Sequence, residues 1–190
     1  MLLAVSLVAT MHASAFAQTI KIGASIALTG PMSREGYLLK EGYDIWLDHV
    51  NKQGGIVVGG KPHTVQIVVY DDESDAQKAT RLTERLIVDD KVQFLLGPFS
   101  SLITMETSLV GEKRKVLTVA PQANADAIYE RRFKYIVSVL PPASSYMKLF
   151  LEMASKLTPR PKTVAMDGRR PALWRSRLRR RSRSCRAAWL

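Results

Sequence analysis

Thr64-Val65-Gln66-Ile67-Val68-Val69-Tyr70, followed at once by Asp71-Asp72-Glu73-Ser74-Asp75, is the stretch on which the fold turns. Seven residues rich in β-branched and aromatic side chains make a strand. The acidic run ends it in a solvated loop, with Ser74 or Asp75 placed to cap a following helix. Ala76, Ala79, Leu82, Leu86 and Ile87 then recur at helical spacing, and Val92 to Leu96 forms a short apolar strand closed by Gly97-Pro98.

The same alternation extends in both directions. Upstream, residues 20 to 28 predict a buried strand ending at the turn Thr29-Gly30-Pro31. A helix from Ser33 to Lys52 follows, with Leu38, Ile45, Trp46 and Val50 on helical spacing around Gly42, and Gln53-Gly54-Gly55 stops it. Downstream come a helix over Leu102 to Glu112 and a strand over Val116 to Val119. A further strand over Tyr135 to Val139 precedes Pro141-Pro142, then a helix over Ser144 to Lys156 and the start of a strand over Thr163 to Met166. Continuously apolar strands alternating with helices predict an α/β fold: a parallel sheet with helices on both faces, because right-handed crossovers put them there.

The formal net charge of +11 invites a nucleic-acid reading, but its location argues otherwise. Residues 169 to 190 hold nine arginines and no acid, which leaves nineteen basic against seventeen acidic residues in the rest of the chain. The fold proper is nearly neutral. An arginine tail of this kind binds nucleic acid or an anionic surface by counterion release whatever its origin, so an Arg-tailed nucleic-acid- or anionic-surface-binding protein stands as the alternative. The tail interrupts the strand pattern and has neither period nor turn logic, as a reading-frame change or a disordered end would produce.

The apolar run Leu2 to Thr10 and the small-residue pattern Ala15-Phe16-Ala17 predict a secretory signal over residues 1–17. The single cysteine, Cys185, lies in the arginine tail, so no disulfide is expected in the body. The expected organisation is a lobe over 18–142, a crossover and the start of a second lobe over 143–168, and the tail.

In parallel sheets ligands sit beyond the carboxyl ends of the strands. The candidate loops are therefore Thr29-Gly30-Pro31, Gly97-Pro98-Phe99-Ser100-Ser101 and Ala120-Pro121-Gln122-Ala123-Asn124. Free N–H groups at helix starts beside small hydroxyls suit an anionic end such as a carboxylate. Ser100 or Ser101 serves equally well as a plain N-cap.

Ile20-Lys21-Ile22-Gly23, Leu28-Thr29-Gly30-Pro31, Asn51-Lys52-Gln53-Gly54-Gly55-Ile56, the Asp71-Asp72 segment with Ser74-Asp75, and Gly97-Pro98-Phe99-Ser100-Ser101 resemble, in order and spacing, the leucine/isoleucine/valine-binding proteins and the related amide- and aromatic-acid-binding receptors of bacterial importers. The resemblance implies the N-terminal lobe of a two-lobed periplasmic receptor that closes on its ligand and docks on an ATP-driven membrane permease, acting as a monomer in the periplasm. It implies carboxylate contacts from Ser101 with Ser100 and Thr29 nearby, and from Gln122 and Asn124. Glu35 stands where the family often has a tyrosine, and the loop after Ala120 lacks the family's small residues followed by Thr, so the resemblance leaves the ligand open among amino acids and related carboxylates or amides. Relatives of this kind are close to twice this length, and the part of a second lobe present is expected to be small, leaving an impaired site.

No cofactor, metal or nucleic-acid partner is expected of the body. The acidic run lacks the glycine turn and distal glutamate of a calcium loop, His49 and His63 show no zinc spacing, and neither a nucleophile elbow nor a phosphate or dinucleotide fingerprint occurs. An enzyme is not the expectation.

Overall fold

The computed structural model describes residues 19–159 and 161–163. The signal, the strand over Thr163 to Met166 beyond its first residue, and the arginine tail with Cys185 lie outside the described residues.

The sheet is built on β1 (Ile20–Ile26) and β4 (Val65–Asp71), the two longest strands, which pair in parallel from Ile20↔Val65 to Ile26↔Asp71. The order is β4-β1-β5-β6-β7, with β5 (Phe94–Leu96), β6 (Leu117–Ala120) and β7 (Ile136–Ser138) added in parallel on the other side of β1. Chain reversal on both sides of β1 brings the β1 and β5 exits side by side, a switch point of the kind that binds ligands in such sheets.

Helices cover both faces, as the apolar strands predict. On one face α1 (Ser33–Lys52) packs Leu39 and Tyr43 against Ala24 and Ile26. On the other, α2 (Ala76–Val88) and α3 (Ser101–Arg114) cover the sheet, with Leu86 packed on Val92 and Leu95. The short α4 (Asp126–Tyr129) places Ile128 against Ala120 and Ile136 on that second face.

Three expectations need correcting. The buried stripe of α1 is Gly36, Leu39 and Tyr43, while Leu38 and Ile45 are 60% and 65% exposed. Both stripes satisfy helical spacing, and only the close approach of Gly36 to the sheet decides between them: a Cβ there would lie 1.8 Å from the carbonyl oxygen of Ala27. Between α1 and β4 the chain makes a hairpin of β2 (Ile56–Val58) and β3 (Lys61–His63) that the sequence reading passes over. Its turn is Gly59-Gly60, both with positive φ, the two-residue loop that such hairpins use. The helix expected over Ser144 to Lys156 is a 3-10 turn at Ala143–Ser145 followed by α5 (Lys148–Ser155).

Contacts divide the chain into two compact units, the first ending at Tyr146 and the second beginning at Met147. The sheet and all candidate site residues belong to the first.

Candidate functional site

Because every strand of the sheet is parallel, the exits of β1, β4, β5, β6 and β7 share one edge. Hydrogen bonds fasten these exits to one another, and Asp71, the last residue of β4, is the first anchor. Its Oδ1 accepts from the N–H groups of Leu28, Thr29 and Glu73 at 2.9, 3.1 and 2.9 Å, and its Oδ2 accepts from the Thr29 hydroxyl at 2.7 Å. Burial pulls this carboxyl upward, yet the donated bonds from Thr29, Glu73 and Leu28 outweigh it and hold it below the usual carboxylate range. Ser74 completes the join, donating to the Thr29 carbonyl at 2.8 Å and accepting from Met32 N–H at 3.0 Å.

Asp72 is fully buried. It accepts from Ser74 N–H at 2.9 Å and from the Ser25 hydroxyl at 3.3 Å. Burial raises its carboxyl above the ordinary value despite those two bonds, with the neighbouring Asp71 charge adding to the rise. The acidic run is therefore not simply a solvated loop: two of its carboxylates are structural acceptors, and only Asp75 does the expected capping, accepting from Lys78 N–H at 2.6 Å. Among the described residues no group of three or more potential ligands gathers as a metal site.

Gly97 and Pro98, at the β5 exit, are buried. The Tyr43 hydroxyl donates to the Gly97 carbonyl at 2.8 Å, and burial raises the Tyr43 phenol well above its ordinary value. Thr104 Oγ1, on α3, donates to the Pro98 carbonyl at 3.4 Å. The two serines that follow divide the work. Ser100 is the N-cap of α3, its Oγ accepting from Ile103 N–H at 3.5 Å. Ser101 is the first helical residue, and its Oγ accepts from Ala125 N–H at 3.4 Å, bridging the β5 and β6 exits. The hydroxyl proton of Ser101 is left to donate, and the first N–H groups of α3 have no intrahelical acceptor.

In the loop after β6, Asn124 donates from Nδ2 to the Tyr146 hydroxyl at 2.8 Å, and its carbonyl accepts from Ala143 N–H at 2.8 Å. Ser144 Oγ donates to Asp126 Oδ1 at 2.5 Å, so the segment after β7 is tied to the same loop at three points. Tyr146 is a rim residue the sequence reading does not single out. Gln122 is exposed at this edge, and Glu35 lies partly buried in the first turn of α1.

The structure thus sets Thr29, Glu35, Ser100, Ser101, Gln122 and Asn124 along one edge, but commits three of the side chains elsewhere: Thr29 to Asp71, Ser100 to its own helix, and one amide hydrogen of Asn124 to Tyr146. The arrangement is an open rim. A small void beneath Gly97 and a groove on the outer side of α1 both lie away from it, and neither includes Ser101 or Asn124.

The chain belongs to the periplasmic binding protein family, whose model matches residues 19–169. It is 31% identical over 120 residues to the leucine-, isoleucine-, valine-, threonine- and alanine-binding protein of Pseudomonas aeruginosa, covering 63% of this chain and 31% of that protein. It is 34% identical to a Leu/Ile/Val-binding protein of Rhizobium johnstonii, covering 66% of this chain and 34% of the other.

Among solved structures it is similar to the branched-chain amino acid transporter substrate binding protein of Streptococcus pneumoniae in complex with isoleucine. That match has 25% identity and a TM-score of 0.64, covering 73% of this chain and 38% of that one. It is also similar to the solute binding protein of an ABC transporter of Rhodopseudomonas palustris in complex with 3,4-dihydroxybenzoic acid, with 25% identity and a TM-score of 0.62, covering 73% and 36%. The chain spans about a third of the length of the curated relatives it matches.

Proposed function

We propose that this rim receives the carboxylate of a small amino acid or aromatic acid, as part of the substrate-binding component of an ABC importer. Ser101 carries the reading. Its hydroxyl keeps a proton to donate beside the first N–H groups of α3, where the helix dipole also favours an anion. The Ala125 contact fixes the side chain between two strand exits. Asn124 and Gln122 supply amide groups beside it, while Thr29 only frames the rim, because its hydroxyl and its N–H are both donated to Asp71 and its carbonyl accepts from Ser74.

Glu35 has a role that follows from charge. A carboxylate at the same rim repels a bare anion but pairs with an ammonium, so it favours a zwitterionic amino acid over a simple acid. The relatives named for branched-chain amino acids support that choice, and the dihydroxybenzoate-bound relative supports the wider class of carboxylates.

The remaining assignments belong to the same reading. Residues 1–17 are a signal directing the protein to the periplasm, the binding lobe runs from 18 to about 142, and 143–168 cross toward a second lobe. Its partners are the small ligand and a membrane permease. Among the described residues no helix is long and apolar enough to cross a membrane. A single rim covers one side of a ligand, so this lobe alone binds in the millimolar range, about 4 kcal/mol. Titrating the 190-residue chain with L-leucine and with 4-hydroxybenzoate by nuclear magnetic resonance tests the reading. Amide shifts concentrated at residues 100–102 and 122–125 support it, and shifts scattered over the surface contradict it.

A further inference from the structure

The layer between the sheet and the helices α2 and α3 holds a cluster of buried hydroxyls. Ser25 on β1, Thr83 on α2 and Thr107 on α3 are each 3% exposed and Thr118 on β6 is 2% exposed, and all four line the small void beneath Gly97 and Pro98. The void measures about 10 Å³, close to the room that one water molecule requires. Three of the hydroxyls have already spent their single proton. Thr83 Oγ1 donates to the Ala79 carbonyl at 2.7 Å, Thr107 Oγ1 to the Ile103 carbonyl at 3.1 Å, and Ser25 Oγ to Asp72 Oδ2 at 3.3 Å. Their remaining lone pairs can only accept. Thr118 differs, because its Oγ1 is buried without a hydrogen-bond partner. Gly111 of α3 passes directly over it, where a Cβ would lie 2.6 Å from that oxygen, so no side chain at this position of the helix reaches down to satisfy it.

We infer that the void beneath Gly97 is a hydration site that holds one structural water between the sheet and its two helices. The water accepts the Thr118 proton and donates its own protons to two of the three spent hydroxyls, which gives it about three hydrogen bonds, the usual number for a buried water. The chemistry selects this occupant. The site needs a species that both accepts and donates, and none of the residues lining it carries a charge to balance a cation. An apolar guest would leave Thr118 unpaired, and a dry void would add the lost contacts of a gap to the cost of an unpaired hydroxyl. The position gives the water a task. Ser25 is bonded to Asp72, Asp72 accepts from Ser74 N–H, and Ser74 holds the Thr29 turn, while Gly97 and Pro98 open the loop that leads to Ser101. One water in this void therefore ties β6 and the helices to the network beneath two of the rim loops, whatever ligand the rim takes.

Oxygen-17 relaxation dispersion of the solvent, measured on the 190-residue chain, tests it, because long-lived internal waters contribute to that signal and exchanging hydroxyl protons do not. Thr118→Val removes the donor, and Thr83→Ile removes an acceptor and puts an extra methyl group into the void. Each should lower the dispersion amplitude by the equivalent of one water, so the test survives if one variant folds poorly. Thr80→Val is the control: its hydroxyl donates to the Ala76 carbonyl of the same helix and does not line the void, so the amplitude should not change. Urea unfolding supplies an independent sign. Thr118→Val should lower the midpoint by about 0.5 M, one lost hydrogen bond set against a typical urea slope, whereas removal of an unpaired hydroxyl would raise it. An amplitude equal in the native chain and in the folded void variants overturns the inference. So does a midpoint raised by Thr118→Val, or an equal loss of amplitude in Thr80→Val.

Discussion

The hydroxyl of Thr29 donates to Oδ2 of Asp71 at 2.7 Å, joining the turn after β1 to the last residue of β4. A residue expected to touch ligand is thereby a fastener for the loop that frames the rim. Thr29→Val should cost about 1–2 kcal/mol of stability, since it removes a hydrogen bond to a charged acceptor. Ligand affinity should change less than about threefold. Chemical denaturation and a ligand titration on the same variant check this, and an affinity loss without a stability loss contradicts it.

Ser100 and Ser101, adjacent in sequence, should separate cleanly. Ser100→Ala removes the N-cap of α3 and should cost about 1 kcal/mol of stability. Ser101→Ala loses only a long bond from Ala125 N–H, so stability should barely move. The ligand should bind about tenfold more weakly, as loss of one hydrogen bond to a charged group requires. Reversed effects would move the carboxylate contact to Ser100.

Two neighbouring carboxylates should pull pH-dependent stability in opposite directions. Asp71, held below its unfolded value, contributes stability that is present above the ordinary carboxylate range and is lost as pH falls through its folded pKa. Asp72, raised by burial, does the reverse: the folded state holds its proton longer, so stability falls as pH rises from the unfolded to the folded pKa. Asp72→Asn keeps an acceptor for Ser74 N–H and removes the charge. Because the Asp72 contribution falls as pH rises, its removal should make the slope of stability against pH more positive just above the model carboxylate value. Urea unfolding across that range measures the slope, and an unchanged slope contradicts the assignment.

Gly36 sits where α1 crosses the exit of β1, with no room for a side chain. Gly36→Ala places a methyl group 1.8 Å from the Ala27 carbonyl oxygen, so either the helix or the rim loop must shift. A loss of about 3 kcal/mol is expected, at the upper end for overpacking, despite the better helix propensity of alanine. A thermal melt that is unchanged or raised would contradict the close approach.

The legible and illegible parts of this chain divide on physical lines. Strand and helix order could be read because β4, α1 and α2 carry strong local signals, and both ends of α1 are where Ser33 and Gly54-Gly55 put them. Which side of α1 is buried could not, since Leu38 and Ile45 keep the helical period as well as Leu39 and Tyr43 do. The β2–β3 hairpin was within reach through Gly59-Gly60, but its strands are too short for periodicity to show.

At the rim, spacing identified the loops but not the use of each side chain. Whether Thr29 faces ligand depends on a carboxylate 42 residues away. The burial of Asp72 is likewise invisible in a run of acids that locally resembles a solvated turn. Tyr146 reaches Asn124 only through the fold, and nothing near either residue announces the pair.

The central claim is that Ser101, the start of α3 and the loop at Asn124 form one carboxylate-receiving rim. Nuclear magnetic resonance titration of the chain with L-leucine beside L-leucinol, which lacks the carboxylate, addresses it most directly. Saturable shifts at residues 100–102 and 122–125 for leucine, with a dissociation constant in the millimolar range and none for leucinol, are the predicted result. Equal responses to both compounds, or leucine shifts centred away from these two loops, would contradict it.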